Sequence, residues 1–153
     1  MQVKELGHLI LYVRDVARSA AFYRDVLGWP QVVPEPGAQG PARIAAFSAS
    51  RTHHELLLIE IGADAAAQPA GRRLGLYHFG LKVGDSDDEL REALARVRAA
   101  GVHVVGASDH HVTHSLYITD PDGNEIELYV DVPSVDWRAD PTAIMSPIRP
   151  LRL

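Results

Sequence analysis

The sequence is missing several features that mark special classes of protein. It contains no cysteine, which excludes disulfides and thiolate metal ligands and fits a reducing, cytoplasmic location. It has no apolar run near the roughly 20 residues that span a bilayer, and its first residues lack the pattern of a signal peptide. It also has no basic run, and 15 Lys and Arg against 20 Asp and Glu give a net charge of −5. We therefore predict a cytoplasmic protein that binds neither a membrane nor nucleic acid.

What the sequence does contain is one pattern that occurs twice. Segments 7–13 and 77–83 alternate in polarity as half-buried strands do. An amphipathic helix is predicted after each, over about 15–27 with Asp15 as its cap and over 86–101 with a capping box at Ser86 and Glu89. Short β-prone segments follow at 31–33, 43–49 and 54–61 in the first half and at 102–105, 114–119 and 124–130 in the second. Both halves therefore read βαβββ, which indicates an internal duplication.

The duplication sets the predicted domain organisation. We predict an α+β fold with a single domain at 1–131, made of two βαβββ modules at about 1–62 and 76–131. An Ala- and Gly-rich linker at 62–75 joins them. Residues 132–153 carry four prolines and are predicted to be an extended C-terminal arm, which either packs on a neighbouring subunit or frays.

Three residues occupy matching places in the repeated strands. His8 and His78 lie on the less apolar face of the first strand of each half, and Glu127 lies opposite Ile126 and Leu128. A single strand histidine is usually an ordinary core or surface residue. Two at matching positions, with a carboxylate that would be costly to bury alone, favour a site in which two His and one carboxylate hold a metal.

Two longer segments carry a family resemblance. Residues 7–15 with 21–28, and later 120–129, resemble the vicinal oxygen chelate superfamily, which includes glyoxalases, bleomycin-resistance proteins and extradiol dioxygenases. The resemblance implies that the two modules form a curled mixed sheet around a metal cleft. It also implies that His8, His78 and Glu127 are the metal ligands, and that the protein forms a homodimer.

Within that superfamily the sequence is most similar to small catechol 2,3-dioxygenase-like proteins. The strand that begins His53-His54 resembles their paired-His strand, in which the second His takes part in acid–base chemistry. Tyr117, ten residues before Glu127, matches a tyrosine that hydrogen-bonds the substrate, and His110 matches an active-site histidine. The tail at 131–137 is also similar to theirs.

This resemblance implies a metal-dependent extradiol dioxygenase that uses dioxygen to cleave a catecholic or related vicinal-oxygen aromatic. A divalent metal is expected, with Fe(II) favoured over Mn(II), because two His and one carboxylate leave open positions for substrate and oxygen. The expected catalytic residues are His54, His110 and Tyr117. His54 could instead be an ordinary residue at a strand edge, and at least one of the histidines at 110, 111 and 114 is expected to be simply solvated.

Glu60 keeps a second function open. Sequence alternation puts it on the face of His54, and the repeat suggests that it is the counterpart of Glu127. If Glu60 is a fourth ligand, the resemblance implies a glyoxalase-like lyase or isomerase that uses Ni(II) or Zn(II). A third alternative is a resistance-type binding protein that sequesters its ligand, although such a protein needs no metal ligands.

Overall fold

The computed structural model describes residues 1–34, 42–69 and 71–153, so one residue of the predicted linker, 70, lies outside the described part. The chain divides into two compact units, Met1–Gln68 and Pro69–Leu153. Each unit has its own sheet and helix, which confirms the predicted mixed α+β architecture. Among the described residues, no helix has the length and apolar character needed to cross a bilayer.

The first unit contains a four-stranded sheet in the order β1-β4-β3-β2. Its elements in chain order are β1 (Leu9–Val13), α1 (Val16–Ala21), a π-helical turn (Phe22–Val26), β2 (Gln31–Val33), β3 (Ile44–Phe47) and β4 (Leu56–Glu60). Strands β1 and β4 are parallel, and the other pairs are antiparallel.

The helix of the first unit covers the predicted span but changes from α-helical to π-helical along its length. Asp15 caps it by accepting a hydrogen bond from the Arg18 amide (2.9 Å), as expected. Beyond Ala21 the turn widens, and the Leu27 amide donates to the carbonyl oxygen of Phe22 (3.1 Å). The adjacent aromatic residues Phe22 and Tyr23 are both buried in this wider turn.

The second unit contains a five-stranded sheet in the order β5-β8-β7-β6-β9. Its elements in chain order are β5 (His78–Gly84), α2 (Asp87–Ala99), β6 (Val104–Asp109), β7 (Thr113–Thr119), β8 (Glu125–Asp131), a 3-10 turn (Pro141–Met145) and β9 (Arg149–Pro150). Strands β5 and β8 are parallel neighbours. Within the segment 132–153, the short strand β9 returns to pair with β6.

Local sequence signals explain how the second unit is built. Ser86 and Glu89 form the predicted capping box, because Ser86 Oγ accepts from the Glu89 amide (3.4 Å) and Glu89 Oε2 accepts from the Asp85 amide (2.8 Å). Asp120 organises the turn before β8 by accepting from the Asn124 amide (2.8 Å).

Apolar residues of α2 and of the sheet form the core of this unit. Those that are almost completely buried are Leu90, Val97, Leu116, Ile118, Ile126, Leu128 and Val130. Alternation along β7 and β8 sends the intervening polar side chains to the opposite face of the sheet. We call this face, which points away from α2, the open face of the second sheet.

Candidate active site

The open face of the second sheet carries a polar cluster on three neighbouring strands. Strand pairing places His78 of β5 beside Glu125 of β8, and Glu127 of β8 beside Tyr117 of β7. Gly80 gives this cluster room, because a Cβ at that position would lie 3.3 Å from Tyr129 Cε1 and 3.7 Å from Glu127 Oε2. The side chains of β8 can therefore lean over β5.

The carboxylate of Glu127 lies at the centre of the cluster. Its Oε1 accepts hydrogen bonds from Ser115 Oγ (2.6 Å) and from the Tyr117 hydroxyl (3.2 Å). Its Oε2 lies 3.2 Å from His78 Nε2. The side chain is only 17% exposed, so its carboxylate oxygens interact with neighbouring protein groups more than with water.

His78 has one ring nitrogen without a hydrogen bond. Its Nδ1 is buried and unpartnered, although Glu125 Oε1 lies 3.6 Å away. A metal-binding imidazole commonly uses one nitrogen as the ligand and directs the other at a carboxylate. His78 has this arrangement, with Nε2 beside Glu127 and Nδ1 facing Glu125.

The donor atoms of His78 and Glu127 fit a divalent cation. Ligand nitrogen and oxygen atoms lie about 2.0–2.2 Å from such metals, so two of them on one ion are roughly 3 Å apart. The 3.2 Å between His78 Nε2 and Glu127 Oε2 agrees with this spacing. One imidazole and one carboxylate are also the ligand types that iron, manganese, nickel and zinc accept.

Tyr117 and His110 form a hydrogen-bonded pair beside these two residues. His110 Nε2 lies 2.6 Å from the Tyr117 hydroxyl oxygen, and the Tyr117 ring meets the His78 ring edge to face with centroids 5.6 Å apart. Burial, followed by the charge and hydrogen bond of Glu127, raises the pKa of Tyr117 above its usual value. Tyr117 therefore remains a protonated phenol near neutral pH and acts as a hydrogen-bond donor.

The first unit holds a separate group of histidines. The rings of His8 and His54 have centroids 4.6 Å apart, and His54 Nδ1 lies 2.6 Å from His53 Nδ1. Burial and then the charges of His53 and His8 lower the pKa of His54, against the opposing charge of Glu55. His8 and His54 were predicted within strands, but each precedes one, because β1 begins at Leu9 and β4 at Leu56.

Glu60 lies in a different environment from Glu127. In the parallel pairing of β1 and β4 it is opposite Val13, on the side of buried Leu58, whereas Glu127 is opposite Gly80 on the open face of its sheet. The register therefore does not make Glu60 the counterpart of Glu127.

The carboxylate of Glu60 also has partners of its own. Its Oε2 accepts from the Val16 amide at the start of α1 (3.1 Å), and its Oε1 lies 3.9 Å from Arg43 Nη2. These contacts give Glu60 a structural role and disfavour it as a fourth ligand.

The predicted metal ligands are divided between the two units. His78 and Glu127 belong to the second unit and His8 to the first. Over residues 1–34, 42–69 and 71–153, no three His, Asp or Glu side chains are grouped so that they could hold a metal ion. The three-residue ligand set therefore stays a prediction.

Comparison with known proteins supports the resemblance seen in the sequence. The sequence profile of the Glyoxalase/Bleomycin resistance protein/Dioxygenase superfamily matches residues 5–128. The chain belongs to this superfamily.

Two curated relatives in the superfamily are dioxygenases. The chain is 38% identical over 135 residues to a catechol-2,3-dioxygenase of Bacillus subtilis, a match that covers 88% of this chain and 44% of the relative. It is 31% identical to an iron-dependent extradiol dioxygenase of Rhodococcus jostii, covering 80% of this chain and 42% of that protein. The chain thus spans less than half the length of these relatives.

Three solved structures share the fold and have names that give different functions. A glyoxylase/bleomycin resistance protein/dioxygenase domain from Frankia matches with a TM-score of 0.67 at 20% identity, over 86% of this chain and all of that one. A lactoylglutathione lyase from Agrobacterium tumefaciens matches at 0.61 and 26% identity, over 85% and 96% of the two chains. A fosfomycin resistance protein FosX from Listeria monocytogenes, in a complex with Mn(II), matches at 0.65 and 18% identity, over 86% and 95%.

Two residues of this candidate site, Ser115 and Glu125, were not predicted from the sequence. Ser115 holds Glu127, and Glu125 faces His78. Alternation offered a signal for both, since Ser115 lies two residues before Tyr117 and Glu125 two before Glu127. What was missing was the pairing of β7 with β8, which decides that Ser115 and Glu127 touch.

Proposed function

We propose that this chain is a non-haem, metal-dependent extradiol dioxygenase that acts on a catecholic or related vicinal-oxygen aromatic. The observation that carries the proposal is the cluster around Glu127, in which a carboxylate beside an imidazole is also bonded to a protonated Tyr117. Tyr117 can donate a hydrogen bond, and His78 and Glu127 are side chains of the kinds that bind metals. This combination suits a substrate that chelates a metal through two adjacent oxygens. The 38% identity to a catechol-2,3-dioxygenase over most of the chain supports the same reaction class.

The proposed metal ligands are His78 and Glu127, with His8 as the third. Fe(II) is the favoured metal and Mn(II) the alternative, because a set of two His and one carboxylate leaves open positions for the substrate and dioxygen. When bound, such a metal would polarise the substrate oxygens and supply the redox chemistry with dioxygen.

The chain's own residues would then bind the substrate and move its proton. His54 is the proposed acceptor of the substrate hydroxyl proton, since an imidazole is suited to general base catalysis near neutral pH. Tyr117 would donate its hydroxyl proton in a hydrogen bond to a substrate oxygen in place of Glu127. His110 would hold the Tyr117 oxygen through its Nε2 and keep the phenol in position.

A glyoxalase-like lyase or isomerase is the second candidate. The match to a lactoylglutathione lyase at 26% identity favours it, and the contacts of Glu60 with Val16 and Arg43 disfavour it. The resistance-type binding protein remains a third outcome of the same test. A homodimer is likewise proposed from the resemblance to the superfamily.

The proposal is tested with protein reconstituted anaerobically with Fe(II). We expect oxygen uptake and growth of product absorbance when catechol and oxygen are added. His78→Ala should lose metal and activity together, and Tyr117→Phe should keep the metal while kcat falls by about 10²–10³-fold. His103→Ala, which removes an exposed histidine immediately before β6, is the matched control.

Two results would replace the proposal. Turnover of a thiohemiacetal with Ni(II) or Zn(II), without catechol cleavage, would establish the lyase or isomerase. Tight binding of an aromatic ligand without turnover under any metal would establish the binding protein.

A further inference from the structure

A cavity of about 670 Å³ lies at one end of the open face of the second sheet. Its wall is formed by the segment before β5 and by the turn between β7 and β8. Its lining includes Arg72, Arg73, Leu76, Tyr77, Thr119 and Glu125. Its volume is in the range of small-molecule sites, which is about 300–1,000 Å³.

The cavity adjoins the cluster around His78. Glu125, which lines it, places Oε1 3.6 Å from His78 Nδ1. Tyr77 also lines it, and its ring centroid lies 4.5 Å from that of His78. A molecule bound beside His78 would therefore have this cavity next to it.

Two arginines give the cavity a cationic wall. Arg72 and Arg73 are both exposed, and Arg73 Nη1 donates to the Pro69 carbonyl oxygen (3.3 Å), which ties its side chain to the backbone of the same segment. A guanidinium presents its donors as a planar fork that matches a carboxylate. Arg72 and Arg73 therefore give this wall side chains that can bind an anion.

The acidic residue in the wall, Glu125, has partners of its own. Glu125 accepts a hydrogen bond from the Tyr77 hydroxyl, which is the main reason that the pKa of Tyr77 is raised, while the charge of Arg72 acts to lower it. Glu125 also faces His78. The wall of the cavity therefore combines one carboxylate, which contacts Tyr77 and faces His78, with the two cations Arg72 and Arg73.

We propose that Arg72 and Arg73 form a subsite for an anionic substituent of the substrate, so that the preferred substrates are catechols bearing a carboxylate. The inference rests on the proposed function, because it assigns the substituent of the same substrate. Thr119 and Leu76 also line the cavity, and they add a hydroxyl group and an apolar side chain to the wall. Such a wall suits a short carboxylated chain on an aromatic ring.

The test compares 3,4-dihydroxyphenylacetate with its neutral amide on Fe(II)-loaded protein. We expect the acid to have the lower KM, by about 10- to 100-fold, with a similar kcat. Arg72→Gln combined with Arg73→Gln should remove this preference by raising KM for the acid alone, and the double Lys variant should retain part of it. Arg91→Gln is the control, since its guanidinium pairs with Asp88 on the exposed side of α2.

A binding measurement separates this inference from the proposed function. Calorimetric titration with phenylacetate, which cannot chelate a metal through two oxygens, should show binding to the wild type that the double Gln variant weakens about 10-fold or more. That result would support the subsite even if no catechol were cleaved, in which case only the dioxygenase proposal would fail. Equal KM for acid and amide, or phenylacetate binding unaffected by loss of both arginines, would overturn the subsite.

Discussion

Ser115 Oγ donates a 2.6 Å hydrogen bond to Glu127 Oε1, and the serine is completely buried between β6 and β8. The bond turns one carboxylate oxygen toward the sheet and leaves the other beside His78. Glu127 is thus oriented by a side chain of a neighbouring strand, which is the support that carboxylate metal ligands commonly receive.

The first prediction concerns this bond. Ser115→Ala should lower the affinity for Fe(II) or Mn(II) by about 10–100-fold, because Glu127 loses the donor that orients it. Metal dissociation constants from competition with a chelator provide the measurement. Ser134→Ala, at an exposed position, is the control. An unchanged metal affinity in a folded Ser115→Ala variant would mean that Glu127 is not a ligand or needs no support.

The second prediction separates the two roles considered for Glu60. Glu60→Ala should lower the free energy of unfolding by about 0.5–2 kcal/mol, since the Val16 amide loses its acceptor at the start of α1. Glu60→Gln, which keeps an oxygen there, should recover part of this loss. Denaturant unfolding and elemental analysis check the outcome, and we expect both variants to retain metal. Loss of metal in both would support a four-ligand, glyoxalase-like site.

The third prediction concerns Gly84 at the end of β5. A Cβ at Gly84 would lie 2.6 Å from Glu89 Cδ and 2.7 Å from Glu89 Cβ, so the first turn of α2 would have to shift. Gly84→Ala should lower the free energy of unfolding by about 1–3 kcal/mol.

Gly106 of β6 is the matched control for Gly84. A Cβ there would meet no heavy atom within 4 Å, and Gly106→Ala should be neutral or stabilising by up to about 1 kcal/mol. Equal effects of the two substitutions on urea unfolding would contradict the steric argument.

The fourth prediction is a pH dependence at the start of α2. Hydrogen bonds from the Asp85 amide and then from the Ser86 side chain lower the pKa of Glu89 below its usual value of 4.5. A carboxyl whose pKa is lower in the folded protein contributes stability above the unfolded-state pKa, and this contribution is lost as the pH falls through the folded-state pKa. Glu89→Gln should therefore destabilise the protein at pH 7, and the difference from wild type should shrink below about pH 4.5.

The control for this titration lies on the same helix. Glu92→Gln changes an exposed carboxylate of α2 outside the capping box, and at pH 7 it should destabilise the protein less than Glu89→Gln does. If Glu89→Gln destabilises the protein as much at pH 3 as at pH 7, the negative charge of Glu89 does not contribute to the stability of the capping box.

Much of the fold was determined by the sequence itself, because local patterns specify local structure. Alternation along 124–130 placed Glu127 opposite Ile126 and Leu128, and the structure buries these two apolar residues while Glu127 lies on the open face. The capping box at Ser86 and Glu89 fixed where α2 begins. These signals act over two to four residues, so no long-range information was needed.

Only the tertiary structure decided which of these side chains meet. The pairing of β7 with β8 brings Ser115 to Glu127, twelve residues away, and the pairing of β1 with β4 brings Glu60 to the start of α1. Neither outcome follows from periodicity, because shifting a strand by one residue exchanges its two faces while the sequence pattern stays the same. The sequence supplied the chemistry of the site, and the strand register selected the contacts that orient it.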